Sequence, residues 1–165
     1  MTEPIQEKVK RSLDAAEGLY YRLVLLAGEA GSGKTATIRN VAADLGVPVI
    51  NLNLELAKQM LELSPKQRSL RLPEILEGVV DRHQPAVVLD NLEVLFDKNL
   101  NQDPLRLLQR ISRNRTVLAS WNGRVERGKL LYAEVGHPEY RKYEINDMLI
   151  VGMDGTVTAD LVQNP

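Results

Sequence analysis

Leu23-Val24-Leu25-Leu26-Ala27-Gly28-Glu29-Ala30-Gly31-Ser32-Gly33-Lys34-Thr35 is the stretch on which the fold turns. Its first five residues form an unbroken apolar run, the pattern of a strand buried on both faces. The next eight match G-x-x-x-x-G-K-[ST], and the residues that follow, Lys34 to Leu45, read as a helix closed by Gly46. A chance glycine turn is the bland alternative, and strand-loop-helix flanks weigh against it. The chemistry accounts for each position. Glycines let the backbone approach phosphate oxygens closely. The loop N–H groups form an anion nest at a helix N-terminus. Lys34 brings positive charge to the β and γ phosphates, and Thr35 offers a hydroxyl to Mg²⁺. Gly28, Glu29, Ala30, Gly31, Ser32, Gly33, Lys34 and Thr35 are therefore expected to cradle a nucleotide. The guanine-reading sequence Asn-Lys-x-Asp is absent, which favours ATP over GTP.

Outward from this loop the chain alternates. Residues 4 to 17 carry Ile5, Val9, Leu13 and Ala16 at helical spacing, ended by Gly18. After the phosphate loop and its helix come a strand at Val47 to Leu52, a helix at Leu54 to Leu63 stopping at Ser64-Pro65, and a helix at Gln67 to Arg82 with a kink expected at Pro73. Ala86 to Leu89 is a third buried strand ending at Asp90, Leu105 to Arg113 a helix, and Thr116 to Ser120 a fourth strand. Buried strands alternating with helices predict an α/β three-layer sandwich with a mainly parallel sheet. The tail differs: Leu130 to Val135, Tyr143 to Ile145, Leu149 to Val151 and Thr156 to Thr158 are short β-like runs, and Asp154-Gly155 is a hairpin signal. The expected organisation is one domain, 1–165: an N-terminal helix (1–18), a nucleotide-binding core (19–122) and a β-rich antiparallel extension (123–165).

Val87-Val88-Leu89-Asp90-Asn91 resembles a Walker B motif, an apolar strand that delivers an acid to the C-terminal edge of the sheet, where ligands collect. Asp90 would share Mg²⁺ with Thr35; the alternative is an aspartate that only caps the next turn. A complete strand-helix unit separates the two motifs, which resembles the additional-strand ATPases, the AAA+ and RecA-like proteins. That resemblance implies a strand between the phosphate-loop and Walker B strands, and Thr116 to Ser120 is the candidate. Its tip, Ser120-Trp121-Asn122, stands where AAA+ proteins carry a polar sensor residue, so Ser120 and Asn122 become candidates to contact the γ-phosphate or the attacking water. The chain departs from the family at Asn91, where many AAA+ proteins have a catalytic glutamate. Glu93 can replace it only if the chain turns there, because strand parity would point it elsewhere. No helical lid with its own arginine follows: the core is AAA+-like without a lid.

With no cysteine among 165 residues, disulfides, thiolate metal sites and thiol nucleophiles are excluded. The two histidines, His83 and His137, are far apart in sequence and read as structural or surface residues. A net charge of -1 gives no global attraction to nucleic acid, and 4% aromatic residues supply little for base stacking. No apolar run is long enough to span a bilayer and no export signal is seen, so a cytoplasmic protein without membrane contact is expected. Charge is nonetheless concentrated: from Pro104 to Lys129 seven basic residues face one acid, Glu126. Arg106, Arg110 and Arg113 share one helix face, which reads as solvated surface, an arginine finger or a contact to DNA phosphates. Arg124 and Arg127, in an expected Gly123 to Gly128 loop, are the better candidates to reach the γ-phosphate of a neighbouring subunit, which predicts a homo-oligomer.

Over its whole length the chain resembles BrxF, the small P-loop protein of BREX anti-phage systems. The residues that carry the resemblance are the phosphate loop, Leu89-Asp90-Asn91-Leu92-Glu93, Ala119-Ser120-Trp121-Asn122-Gly123 and Gly136-His137-Pro138-Glu139-Tyr140. It implies a bacterial ATP-binding, Mg²⁺-dependent ATPase or nucleotide switch that works with other BREX defence proteins on DNA. The competing functions are a small-molecule kinase, with Arg106 to Arg127 as its lid, and a nucleotide-binding scaffold without turnover, which Asn91 keeps open.

Overall fold

The computed structural model describes residues 3–81, 86–133 and 136–160. Helix α1 (Ile5–Ala16) leads into strand β1 (Leu23–Gly28), the phosphate loop and helix α2 (Lys34–Leu45). Strand β2 (Val49–Asn51) is shorter than its sequence run, because Asn51 already caps helix α3 (Leu52–Met60) by accepting from Leu54 N. Helix α4 (Pro65–Val80) starts from a Ser64/Gln67 capping box and runs through Pro73. Strand β3 (Val87–Asp90) is followed by the 3₁₀ turns Glu93–Phe96 and Lys98–Leu100, then helix α5 (Pro104–Ile111). Strand β4 (Val117–Glu126), β5 (Lys129–Tyr132), β6 (Arg141–Glu144), β7 (Met148–Gly152) and β8 (Val157–Asp160) complete the chain.

The main sheet runs β2-β3-β4-β1-β7-β8. Its first five strands are parallel and β8 is antiparallel at the edge. The strand between β1 and β3 is β4, as the spacing of the motifs predicts. Strict alternation along β1 splits its apolar run between two cores: Val24 and Leu26 pack with α1 and α2, while Leu23, Leu25 and Ala27 pack with α3, α4 and α5. Each fully buried Leu or Val contributes about 1.5–3 kcal/mol, so a strand buried on both faces anchors the sheet from which the phosphate loop springs. These helices on both faces make the α/β three-layer sandwich of a P-loop fold.

Two expectations need correction. Gly123 to Gly128 is not a loop: β4 continues to Glu126 and turns through Arg127 and Gly128, both at positive φ, into the antiparallel strands β5 and β6. A two-residue turn with positive φ matches strand twist, and Gly123 lets β5 cross close by. The tail is β-rich as expected, but one of its strands, β7, joins the main sheet parallel to β1. His83, Arg82 and Val135, named in the sequence readings, lie outside the described residues.

Candidate functional site

The phosphate loop joins the C-terminal end of β1 to the N-terminus of α2, where Gly33 is the N-cap at φ 96°, a conformation that side chains resist. Lys34, the first residue of α2, is only 7% exposed, and its Nζ donates to the carbonyls of Gly28 (2.8 Å) and Glu29 (2.9 Å). Burial lowers its pKa from the ordinary lysine value, against the opposing pull of Asp90, Glu93 and Glu29. Thr35 Oγ1 donates to Asp90 Oδ2 at 3.0 Å. Asp90 is delivered by β3 to the same edge and is buried; its other oxygen, Oδ1, accepts from Ser120 Oγ at 2.6 Å. The two sensor candidates thus divide: Ser120 holds Asp90, while Asn122 reaches the cleft.

Beyond Asp90 the backbone leaves the strand. Asn91 adopts φ 58°, and its carbonyl accepts from Asn53 N at 2.9 Å. This reversal starts the 3₁₀ turn with Glu93 and swings its half-buried carboxylate to the phosphate loop. Glu93 Oε2 accepts from Asn53 Nδ2 (2.7 Å) and Oε1 from Asn122 Nδ2 (2.8 Å), while Asn53 Oδ1 accepts from Val94 N (2.8 Å). Ala30, Gly31, Gly33, Lys34, Thr35, Asp90, Asn91, Glu93 and Asn122 line one cleft of about 420 Å³. Asn53 was not anticipated; its only sequence signal is a polar residue between the apolar Leu52 and Leu54 at the end of β2.

Among the described residues no group of three or more His, Cys, Asp or Glu is arranged to hold a metal. One hydroxyl and one carboxylate 3.0 Å apart, Thr35 and Asp90, are instead the small oxygen set that suits Mg²⁺, which draws its remaining ligands from phosphates and water.

The arginines separate. Arg124, on β4, pairs with Glu126 (3.1 Å) and lies 3.9 Å from Glu29 of its own phosphate loop, across a second cleft of about 400 Å³. Arg127 is exposed at the β4–β5 turn. Arg106 and Arg110 are exposed on α5, whereas Arg113 lies over the Tyr20 ring and donates to the Tyr20 carbonyl. His137 is on the surface, its Nδ1 accepting from Glu139 N.

A parallel sheet with a phosphate loop on one strand, an acid on another and a third strand between them defines an additional-strand P-loop ATPase core. The chain belongs to the ATPase family associated with various cellular activities (AAA), whose sequence model matches residues 24–118, more than half of its length. Membership makes it a nucleotide-binding ATPase domain. No curated protein matches the chain. Among solved structures, C. elegans PCH-2 aligns at 19% identity and a TM-score of 0.45, covering 90% of this chain and 41% of that one. The chain thus spans less than half the length of that relative, and a likeness of this degree carries no argument. Among the described residues no helix is long and apolar enough to cross a membrane.

Proposed function

We propose that the chain binds ATP with Mg²⁺ and hydrolyses it to ADP and phosphate, with Glu93 in place of the family's glutamate as the acceptor of the water proton. One observation carries this reading: the turn at Asn91 brings the Glu93 carboxylate into the cleft of Lys34, Thr35 and Asp90, where Asn53 and Asn122 fix both its oxygens. Lys34 and the loop amides bind the phosphates. Thr35 and Asp90 would hold Mg²⁺, which supplies charge neutralisation on the phosphates. Asn122 orients Glu93 and lies where it can meet the γ-phosphate. Water attacks the γ-phosphorus, Glu93 takes its proton, and the β–γ bridging bond breaks toward ADP.

Arg124 is engaged by Glu126 and Glu29, so the exposed Arg127 is the candidate to complete the site of a second copy in a homo-oligomer. The resemblance to BrxF at Ala119–Gly123 and Gly136–Tyr140 supports placing this ATPase in the bacterial cytoplasm. There it would serve as the nucleotide-driven component of a BREX phage-defence complex with other BREX proteins and DNA.

The test is a titration with labelled ATP and a phosphate-release assay run across protein concentrations. Lys34→Ala should lose tight ATP binding. Glu93→Gln should keep binding and lose turnover by about 10²- to 10⁴-fold, the usual worth of a general base. Rate per subunit rising with concentration is expected of the assembly. Unchanged affinity in Lys34→Ala refutes the phosphate loop, and unchanged turnover in Glu93→Gln refutes the base.

A further inference from the structure

Nothing in this catalytic scheme uses the antiparallel strands beyond β4, yet one of their side chains meets the site from behind. Tyr132 ends β5, pairs across the ladder with Gly123, and is 4% exposed. Its ring stacks on Phe96, with centroids 3.4 Å apart and planes inclined by only 2°. Phe96 is the last residue of the 3₁₀ turn whose first residue is Glu93. At its other end Tyr132 has its hydroxyl hydrogen-bonded with the Asn122 side chain, the same amide that donates to Glu93 Oε1. Trp121 closes the cluster edge-on to both rings, at 5.3 Å from Phe96 and 5.5 Å from Tyr132. Burial, reinforced by Glu93, pushes the Tyr132 hydroxyl well above the ordinary tyrosine pKa, so it stays a neutral group throughout the working pH range.

We infer that Tyr132 is a positioning residue for hydrolysis, fixing Glu93 from two sides: through Asn122 at the carboxylate and through Phe96 at the far end of its turn. The β5–β6 strands thereby become part of the hydrolytic apparatus. This rests on the reading of Glu93 as the proton acceptor. A tyrosine that merely filled the core would need its ring and not its hydroxyl; a positioning tyrosine needs both. Because Tyr132 acts on Glu93 and not on the phosphates, its loss should fall on turnover and spare ATP affinity.

The experiment measures single-turnover hydrolysis and ATP affinity for the full chain as wild type, Tyr132→Phe, Glu93→Gln and the double variant. Phenylalanine keeps the stack on Phe96, so folding is preserved. Turnover of Tyr132→Phe should fall about 5-fold, the scale of one hydrogen bond lost from an orienting network, at unchanged ATP affinity. In the Glu93→Gln background the same change should have no further effect, because the group it positions is gone. Wild-type turnover in Tyr132→Phe beside an inactive Glu93→Gln overturns the inference and leaves the reading of Glu93 standing. A loss of ATP affinity at constant turnover, or an equal 5-fold loss in the Glu93→Gln background, also overturns it. Full activity in Glu93→Gln sinks the reading of Glu93 and this inference together.

Discussion

Replacing Gly123 with alanine tests the close crossing of β4 and β5 on which the rear of the site depends. A Cβ at this position would lie 1.8 Å from the Leu131 carbonyl oxygen, 2.8 Å from its carbon and 3.0 Å from Trp121 Nε1. The first two are backbone atoms and cannot swing aside, so β5 itself must retreat. Overpacking of this kind costs about 1–3 kcal/mol. The retreat also breaks the bond in which Trp121 Nε1 donates to Leu131 O at 3.0 Å. Leaving that buried indole N–H unpaired adds about 1–3 kcal/mol. The sum, about 4 kcal/mol, is a large fraction of the roughly 5–15 kcal/mol that holds a domain together. For a chain of this size each kcal/mol moves Tm by about 2–4 °C, so a fall of about 10 °C is expected. Trp121 is the only tryptophan in the sequence and is 1% exposed, so its emission reports the same event. The assay is a thermal melt followed by tryptophan fluorescence, with Gly78→Ala on α4 as control, since a Cβ there meets nothing within 4 Å. A Gly123→Ala protein with unchanged Tm and emission would refute the pairing of Gly123 with Tyr132.

Asp90→Ala and Thr35→Ala should each weaken the Mg²⁺ dependence of turnover while leaving Mg²⁺-free nucleotide binding close to wild type; full Mg²⁺-dependent turnover in Asp90→Ala would refute the metal assignment. Mixing Arg127→Ala with Lys34→Ala should restore part of the activity that each lacks alone, because one subunit brings a working arginine and the other a working phosphate loop; a finger arginine is worth about 10³-fold or more, and a mixture that assembles but stays inactive removes the trans role. Burial raises the Tyr143 pKa to about 12, above its unfolded value near 10. The stability it contributes is therefore complete below pH 10 and is lost as pH rises toward 12; Tm measured from pH 8 to 12 should decline less steeply in Tyr143→Phe.

The readable parts of the fold are those fixed locally. Leu23 to Ala27 is apolar at every position because both faces of β1 are covered, and the Gly28 to Thr35 pattern records backbone needs of a single turn. The parallel placement of Met148 to Gly152 is not of that kind. Its short apolar run fits an antiparallel or a parallel neighbour equally, and the choice is made by the vacant edge of β1, a tertiary fact. The β4–β5 turn was hidden for a different reason. Arg127-Gly128 lacks the Asn or Asp that marks such turns, so the glycines at 123 and 128 read as the ends of a loop. With them went Arg124, which strand geometry carries over its own phosphate loop rather than toward a neighbour.

At Asn91 a single dihedral angle decides the chemistry, and strand parity could not reveal it. Asparagine enters the left-handed region more readily than most residues, and here it holds φ 58° with its carbonyl turned to Asn53 N. The residue that lacks the family's carboxylate is therefore the one that admits Glu93. This predicts an outcome contrary to simple motif repair. Asn91→Glu restores the usual acid after the Walker B aspartate, but a glutamate at this φ costs about 1–2 kcal/mol relative to extended backbone. The turn should open, Glu93 should leave Asn53 and Asn122, and turnover should fall. Asn91→Gly, which suits positive φ without strain, should retain most activity although it carries no polar side chain. Steady-state phosphate release from both variants, with ATP affinity as the control for folding, decides between the two accounts. Higher turnover in Asn91→Glu than in wild type would mean that the position acts through its side chain, and the assignment of Glu93 as the proton acceptor would have to be withdrawn.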